Sequence, residues 1–192
     1  MNALRRAIAI LADPAAEWAM IEKEVNDPAH LLRGYVALWA LVPAVFGLIG
    51  SCIVGVVVPG AGLLRAPFAY GLLAAMFNYI TSCAIVICLG GLIRVLAPMF
   101  GGQRDFNGAF QLAVYSYTPV WLTGVFLLAP GLRFLGLIGL YGAYIFWIGT
   151  PSLAKLAVHK VRVFTAILVV CAGTLIFITG VLQHTLFGAV GR

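Results

Sequence analysis

From residue 35 onward, nearly unbroken apolar stretches alternate with short polar breaks, at 35–58, 68–99, 106–129, 132–153 and 162–186. Each reaches the roughly 20 residues an α-helix needs to cross a hydrocarbon layer about 30 Å thick. None shows the strict apolar–polar alternation, over about ten residues, that a barrel strand requires. Lipid offers the backbone no hydrogen-bond partner, so continuously apolar stretches must be helices. The pattern predicts an all-α, polytopic membrane protein: a five-transmembrane-helix bundle over 35–192.

The first 34 residues read differently. Asp13 followed by Pro14 is a helix start, with a side-chain cap and then a residue that needs no backbone donor. Trp18, Ile21 and Val25 recur at three- and four-residue steps, with Glu17, Lys23 and Glu24 for the most part opposite. This predicts two amphipathic helices, 2–12 and 14–25, along the cytoplasmic membrane surface with Trp18 at headgroup level. Such helices can dock a partner or pack on their own membrane domain. Between the spans, Pro59-Gly60-Ala61-Gly62 reads as a turn and Pro130-Gly131 as a tight link.

Composition strengthens the membrane reading. The chain is 63% hydrophobic and 9% charged, with a mean hydropathy of +1.07. After Asp27 the only carboxylate side chain is Asp105, as expected where an ionised group at the bilayer centre costs at least about 2.5–3.5 kcal/mol. The net charge of +6 comes from basic residues set singly between spans, which is a topology signal and excludes a nucleic-acid partner. Nine Lys and Arg fall on the side of the N-terminus and three on the other. The N-terminus is therefore expected in the cytoplasm and the C-terminus in the periplasm. Arg5-Arg6 precedes too short an apolar run for a cleaved signal, so the first span is expected to serve as an uncleaved insertion signal in a bacterial inner membrane. Cys52, Cys83, Cys88 and Cys171 sit in apolar runs without metal spacing and read as small apolar fillers.

Catalytic chemistry finds no footing. His30, His159 and His184 are spread over both sides, Asp105 has no second carboxylate, and no glycine-rich phosphate loop occurs. The sequence predicts no enzyme, no metal and no cofactor. Polar residues inside spans are the candidates that remain: Asn78 and Thr81, with Ser82, share a face of the second span. Tyr115, Ser116 and Tyr117 precede Pro119, whose missing N–H frees a carbonyl that Tyr115 or Ser116 can satisfy. Gly136, Gly139 and Gly142 sweep a smooth face where a helix, internal or from another chain, can approach. Trp18, Arg104, Asp105, Phe106 and Phe110 form the interface segments, with Asp105 capping a helix on which Phe106 and Phe110 share a face.

Pro14 with Trp18 and Ile21, then Gly101-Gly102 and Phe106, then Ala113-Val114-Tyr115-Ser116 and Pro119, set within five spans, resemble the Yip family. These are the Rab-interacting membrane proteins of the Golgi and their bacterial relatives, and the resemblance covers about residues 8–183. It implies a polytopic protein with a cytoplasmic N-terminus, partner-mediated roles and no catalytic residues. This chain has no long cytosolic N-terminal arm, so Rab binding is not carried over. The expected function is a non-enzymatic membrane organiser or accessory subunit, in contact with the lipid bilayer and with other membrane proteins or itself. The alternative is a small-solute or ion transporter or channel with its polar site at the kinked third span.

Overall fold

Asp13 ends one helix and starts the next: its backbone N–H closes α1 (Ala3–Ala12), and its carboxylate accepts from Ala16 N at the head of α2 (Pro14–Ile21). The computed structural model describes residues 2–24, 27–58, 62–103 and 105–187, without the side chains of 56–58 and 130. Val25, residues 59–61 of the expected turn, and Arg104 lie outside them. Asp27 and Pro28 repeat the Asp-Pro device to open α3 (Pro28–Val54), whose course includes π-helical turns at Leu32–Val36 and Gly50–Val54. The first span was expected to reach residue 58, but its helix stops at Val54. Gly55, at φ +77°, turns the chain into a short antiparallel hairpin, β1 (Val56–Val58) with β2 (Gly62–Leu64), in which Val56 faces Leu64. A β-carbon disfavours that dihedral, so glycine marks the stop.

The remaining helices are α4 (Phe68–Leu96), α5 (Phe106–Ser116), α6 (Thr118–Thr123), α7 (Tyr141–Leu153) and α8 (Val158–Phe187). A 3-10 stretch, Pro130–Leu140, leads into α7. Among the described residues, four helical segments are long and apolar enough to cross a membrane: Pro28–Val54, Phe68–Phe100, Gly131–Leu153 and Val158–Phe187. The short hairpin aside, the chain is an all-α, polytopic membrane protein.

The stretch 106–129, expected as a span with one kink, is instead α5, α6 and a 3-10 turn, Gly124–Leu128. Pro119 sits in the first turn of α6, where its missing N–H costs nothing, so the helix restarts rather than bends. This segment is nonetheless the centre of the bundle. Every residue of α5 from Gly108 to Ser116 is buried, and α5 packs against α4 and α7. A helix apolar nearly all round its circumference is stable only when enclosed. The segment leaves Asp105, beside Ser152 and Lys155, and ends with Leu127 against Gly50 at the far end of α3. Pro43 and Gly124 clamp it midway, since a β-carbon on Gly124 would lie 2.6 Å from Pro43 Cα.

Candidate functional site

Two places gather polar groups. The first lies where the N-terminal helices meet the bundle. Arg6 lies on the face of α1 that also buries Ala7 and Ile10, and it is only 5% exposed. Its guanidinium donates to Glu17 Oε1 at 2.5 Å and to both oxygens of Glu24 at 2.5 and 2.6 Å. Burial works to lower the Arg6 pKa, but the Glu24 bond and the surrounding negative charges outweigh it, and the net direction is upward. The guanidinium carbon sits 5.8 Å from the centre of the Tyr115 ring, within reach of a cation–π attraction. Tyr115 meets Tyr35 edge-on at 5.1 Å and Trp18 at 6.1 Å. The Tyr35 hydroxyl and Thr118 Oγ1 are hydrogen-bonded at 2.9 Å. The expectation that Glu17 faces away from Trp18 and Ile21 is thus overturned: Glu17 is 2% exposed. Glu17 stands one turn before Ile21, on the same buried face.

Trp18 does not face lipid headgroups. Its ring is buried against Gly149, and its Nε1 donates to Ile145 O at 3.0 Å. Two further bonds tie the N-terminal helices to the bundle, Tyr141 OH to Leu11 O at 3.1 Å and Lys155 to Glu22. At the same end, Asp105 accepts from the backbone of Asn107 at 3.1 Å and Gly108 at 2.8 Å, capping α5 as expected. Phe106 and Phe110 stack at 5.8 Å, Arg94 lies over Phe106, and Phe110 is buried against Gly90.

The second place is a cavity of about 270 Å³ toward the opposite end. Asn78, Thr81 and Tyr117 line it together, as the shared helix face led one to expect for the first two. Thr81 spends its hydroxyl on Phe77 O at 2.8 Å and Asn78 O at 3.1 Å, while Asn78 Oδ1 is buried with no partner among the described residues. Missed from the sequence are Trp121, whose Nε1 donates to Ser82 Oγ at 2.7 Å, and the cavity's Arg133 and Gln183. The other candidates go elsewhere. Tyr115 belongs to the ion cluster, Pro119 is buried behind Gly142, and Ser116 Oγ makes no bond to any freed carbonyl. Of the glycine stripe, Gly142 packs on Ser116 O and Gly139 on Val120 and Thr123, so their partner is the chain's own α5–α6 segment, and Gly136 faces open space. Among the described residues, no three His, Cys, Asp or Glu side chains converge to hold a metal.

Residues 8–180 match the family described as the Yip1 domain. The protein named inner membrane protein YohC, from Escherichia coli strain K12, is 25% identical over 147 residues, covering 74% of this chain and 75% of the relative. The protein of that name from Escherichia coli O6:H1 matches to the same extent. No solved structure matches the chain.

Proposed function

Because the chain belongs to the Yip1 domain family, we propose that it acts without catalysis, as a membrane organiser or accessory subunit that docks on other membrane proteins. One observation carries this reading. Of the 30 residues of α8, only Val161, Phe164 and Leu168 are buried, all in its first half. The rest presents Val170, Phe177, Ile178 and Val181 outward. A helix that contributes so little to its own bundle is free to pack on another.

The supporting topology has five crossings, with the broken 106–129 segment as the third, enclosed by the bundle where lipid cannot reach its open backbone. Residues 2–24 lie along the cytoplasmic surface, with exposed Leu4 and Ile8 one turn apart turned to the lipid. The basic-residue balance favours a cytoplasmic N-terminus and a periplasmic C-terminus, and the named relatives favour the inner membrane. The test is extraction into polymer nanodiscs, affinity capture and mass spectrometry. A stoichiometric membrane partner that Phe177→Ala weakens supports the reading, and a strict monomer that brings no protein with it ends it.

Transport has one observation in its favour, the convergence of Asn78, Thr81 and Tyr117 on one cavity. Unchanged solute flux in proteoliposomes after Asn78→Leu and Tyr117→Phe removes it.

A further inference from the structure

The polar cavity does not stand alone. It adjoins a second one, also about 270 Å³, and Tyr117, Val120, Gly136 and Ile176 line both. The second is an apolar groove between the Pro130–Leu140 stretch and α8, floored by Leu89, Ala113 and Phe146. Its mouth opens to the lipid past exposed Leu137, Leu140 and Gly173. Gly136 and Gly173, on its two walls, face open space, with nothing within 4 Å of where a β-carbon would stand. From Gly136 to Phe146 the groove runs about 17 Å, at about 2.0 Å per residue in the 3-10 part and 1.5 Å in α7. That matches one leaflet, about half of a 30 Å hydrocarbon layer.

The two cavities divide their chemistry. Arg133 stands in the polar one with Asn78, Thr179 and Gln183, and no carboxylate of the described residues lines it. Among the described residues Arg133 has no ion-pair partner. The acidic residues Glu22, Glu24 and Asp105 gather around a separate pocket beside Lys155. Asn78 and Gln183 line the polar cavity and Ser116, 7% exposed, lines the groove, and among the described residues Asn78 Oδ1 and Ser116 Oγ are buried without a hydrogen-bond partner. A positive rim, polar side chains beside it and an apolar slot one leaflet deep form an amphipathic receptor with a fixed order of parts.

We propose that the two cavities form one site for an anionic phospholipid of the leaflet at the Arg133 end. Its phosphate sits on Arg133, whose planar fork suits phosphate oxygens. Headgroup hydroxyls reach Asn78 and Gln183, and one acyl chain fills the groove over Gly136 and Gly139. Every fluid bilayer can put some chain into an apolar slot, so the charge of the headgroup is what distinguishes this site from general solvation.

The full chain, purified in detergent, is titrated separately with phosphatidylglycerol, phosphatidylcholine and inorganic phosphate, and bound species are counted by native mass spectrometry. One phosphatidylglycerol is expected to bind at least about tenfold more tightly than phosphatidylcholine, the effect of a single added charge-assisted contact. Arg133→Gln should erase that preference while leaving chain binding. Gly136→Leu, whose side chain enters open space, should weaken both lipids about tenfold or more while the apoprotein melts as the wild type does. If Gly136→Leu fails to fold, Gly173→Leu plugs the groove from its other wall.

Equal binding of the two lipids overturns the proposal, as does a preference that survives Arg133→Gln. Phosphate that binds as tightly as the phospholipid reduces the site to an ion at Arg133 and overturns the acyl-chain half. Dimers that Gly136→Leu dissolves would make the occupant a second copy of this chain.

Discussion

Replacing Gly149 by alanine should unseat the N-terminal helices, although the same change inside an ordinary helix adds up to about 1 kcal/mol of stability. The new β-carbon would stand 2.8 Å from Trp18 Cδ2 and Cζ2, and nearer still to Cε2. Carbon atoms rest about 3.5–4.0 Å apart, so the rigid ring must retreat by about 1 Å. The Trp18 Nε1 bond to Ile145 O, now 3.0 Å, would stretch past the roughly 3.5 Å at which a hydrogen bond ceases to be one. Leaving that buried N–H unpaired costs about 1–3 kcal/mol, and overpacking adds about 1–3 kcal/mol. Against the helix gain, the net loss is roughly 1–5 kcal/mol. Trp18→Ala alone should cost about 3–5 kcal/mol through its cavity. In the double variant the methyl meets no ring, and Gly149→Ala should then cost nothing. Unfolding of all four proteins in detergent, with trypsin cleavage after Lys23 reporting release of α2, completes the cycle. Additivity within about 0.5 kcal/mol refutes the reasoning.

Glu17→Ala leaves Arg6 buried with only its half-exposed partner Glu24 and should cost about 3 kcal/mol or more. Glu24→Ala takes the two-oxygen partner from the same buried guanidinium and should cost about 1–3 kcal/mol, and thermal unfolding that leaves either variant as stable as the wild type would contradict the buried ion cluster. Trp121→Phe removes the bond to Ser82 and should lower stability by about 0.5–1.5 kcal/mol, measured by chemical denaturation, with no further loss when Ser82→Ala is added. Gly124→Ala drives a methyl into the Pro43 backbone and should cost about 1–3 kcal/mol in the same assay, and a neutral result would show that the two segments are not clamped there. In a background without the native cysteines, Gln103→Cys and Arg133→Cys, which bracket 106–129, should be labelled by an impermeant thiol reagent from opposite faces of the membrane, and labelling from one face breaks the five-crossing topology.

The helices were legible because a membrane span needs only length and apolarity, and both are written in consecutive residues. Asn78 and Thr81 could be placed on one face from their spacing alone. Arg6 and Glu17 could not be placed, because a charge reads as exposed until its partner is known. The partner here sits on another helix, so no local period reveals it. The position of Trp18 depended on Gly149, a residue 131 places away that looks like any other span glycine. The breakage of 106–129 was half visible in Pro119, but whether a proline bends a helix or restarts it depends on what encloses it. The groove beside Gly136 was unreadable for the opposite reason, since a cavity consists of contacts that are not made.

The bonds that seat α1 and α2 join residues 127, 130 and 133 positions apart. At about 5–20 residues per second, the ribosome needs roughly 7–25 s to make α7 after it has finished the two helices. During that time Trp18 and Ile21 have no bundle to enter, though Arg6 can already hold Glu17 and Glu24. The pair of helices has no seat in the bundle until α7 and Lys155 have been made, so its docking is a late event that precedes only the synthesis of α8. A chain truncated before residue 141 leaves that unit undocked, with its apolar face open to the proteases and chaperones that police unfinished membrane proteins.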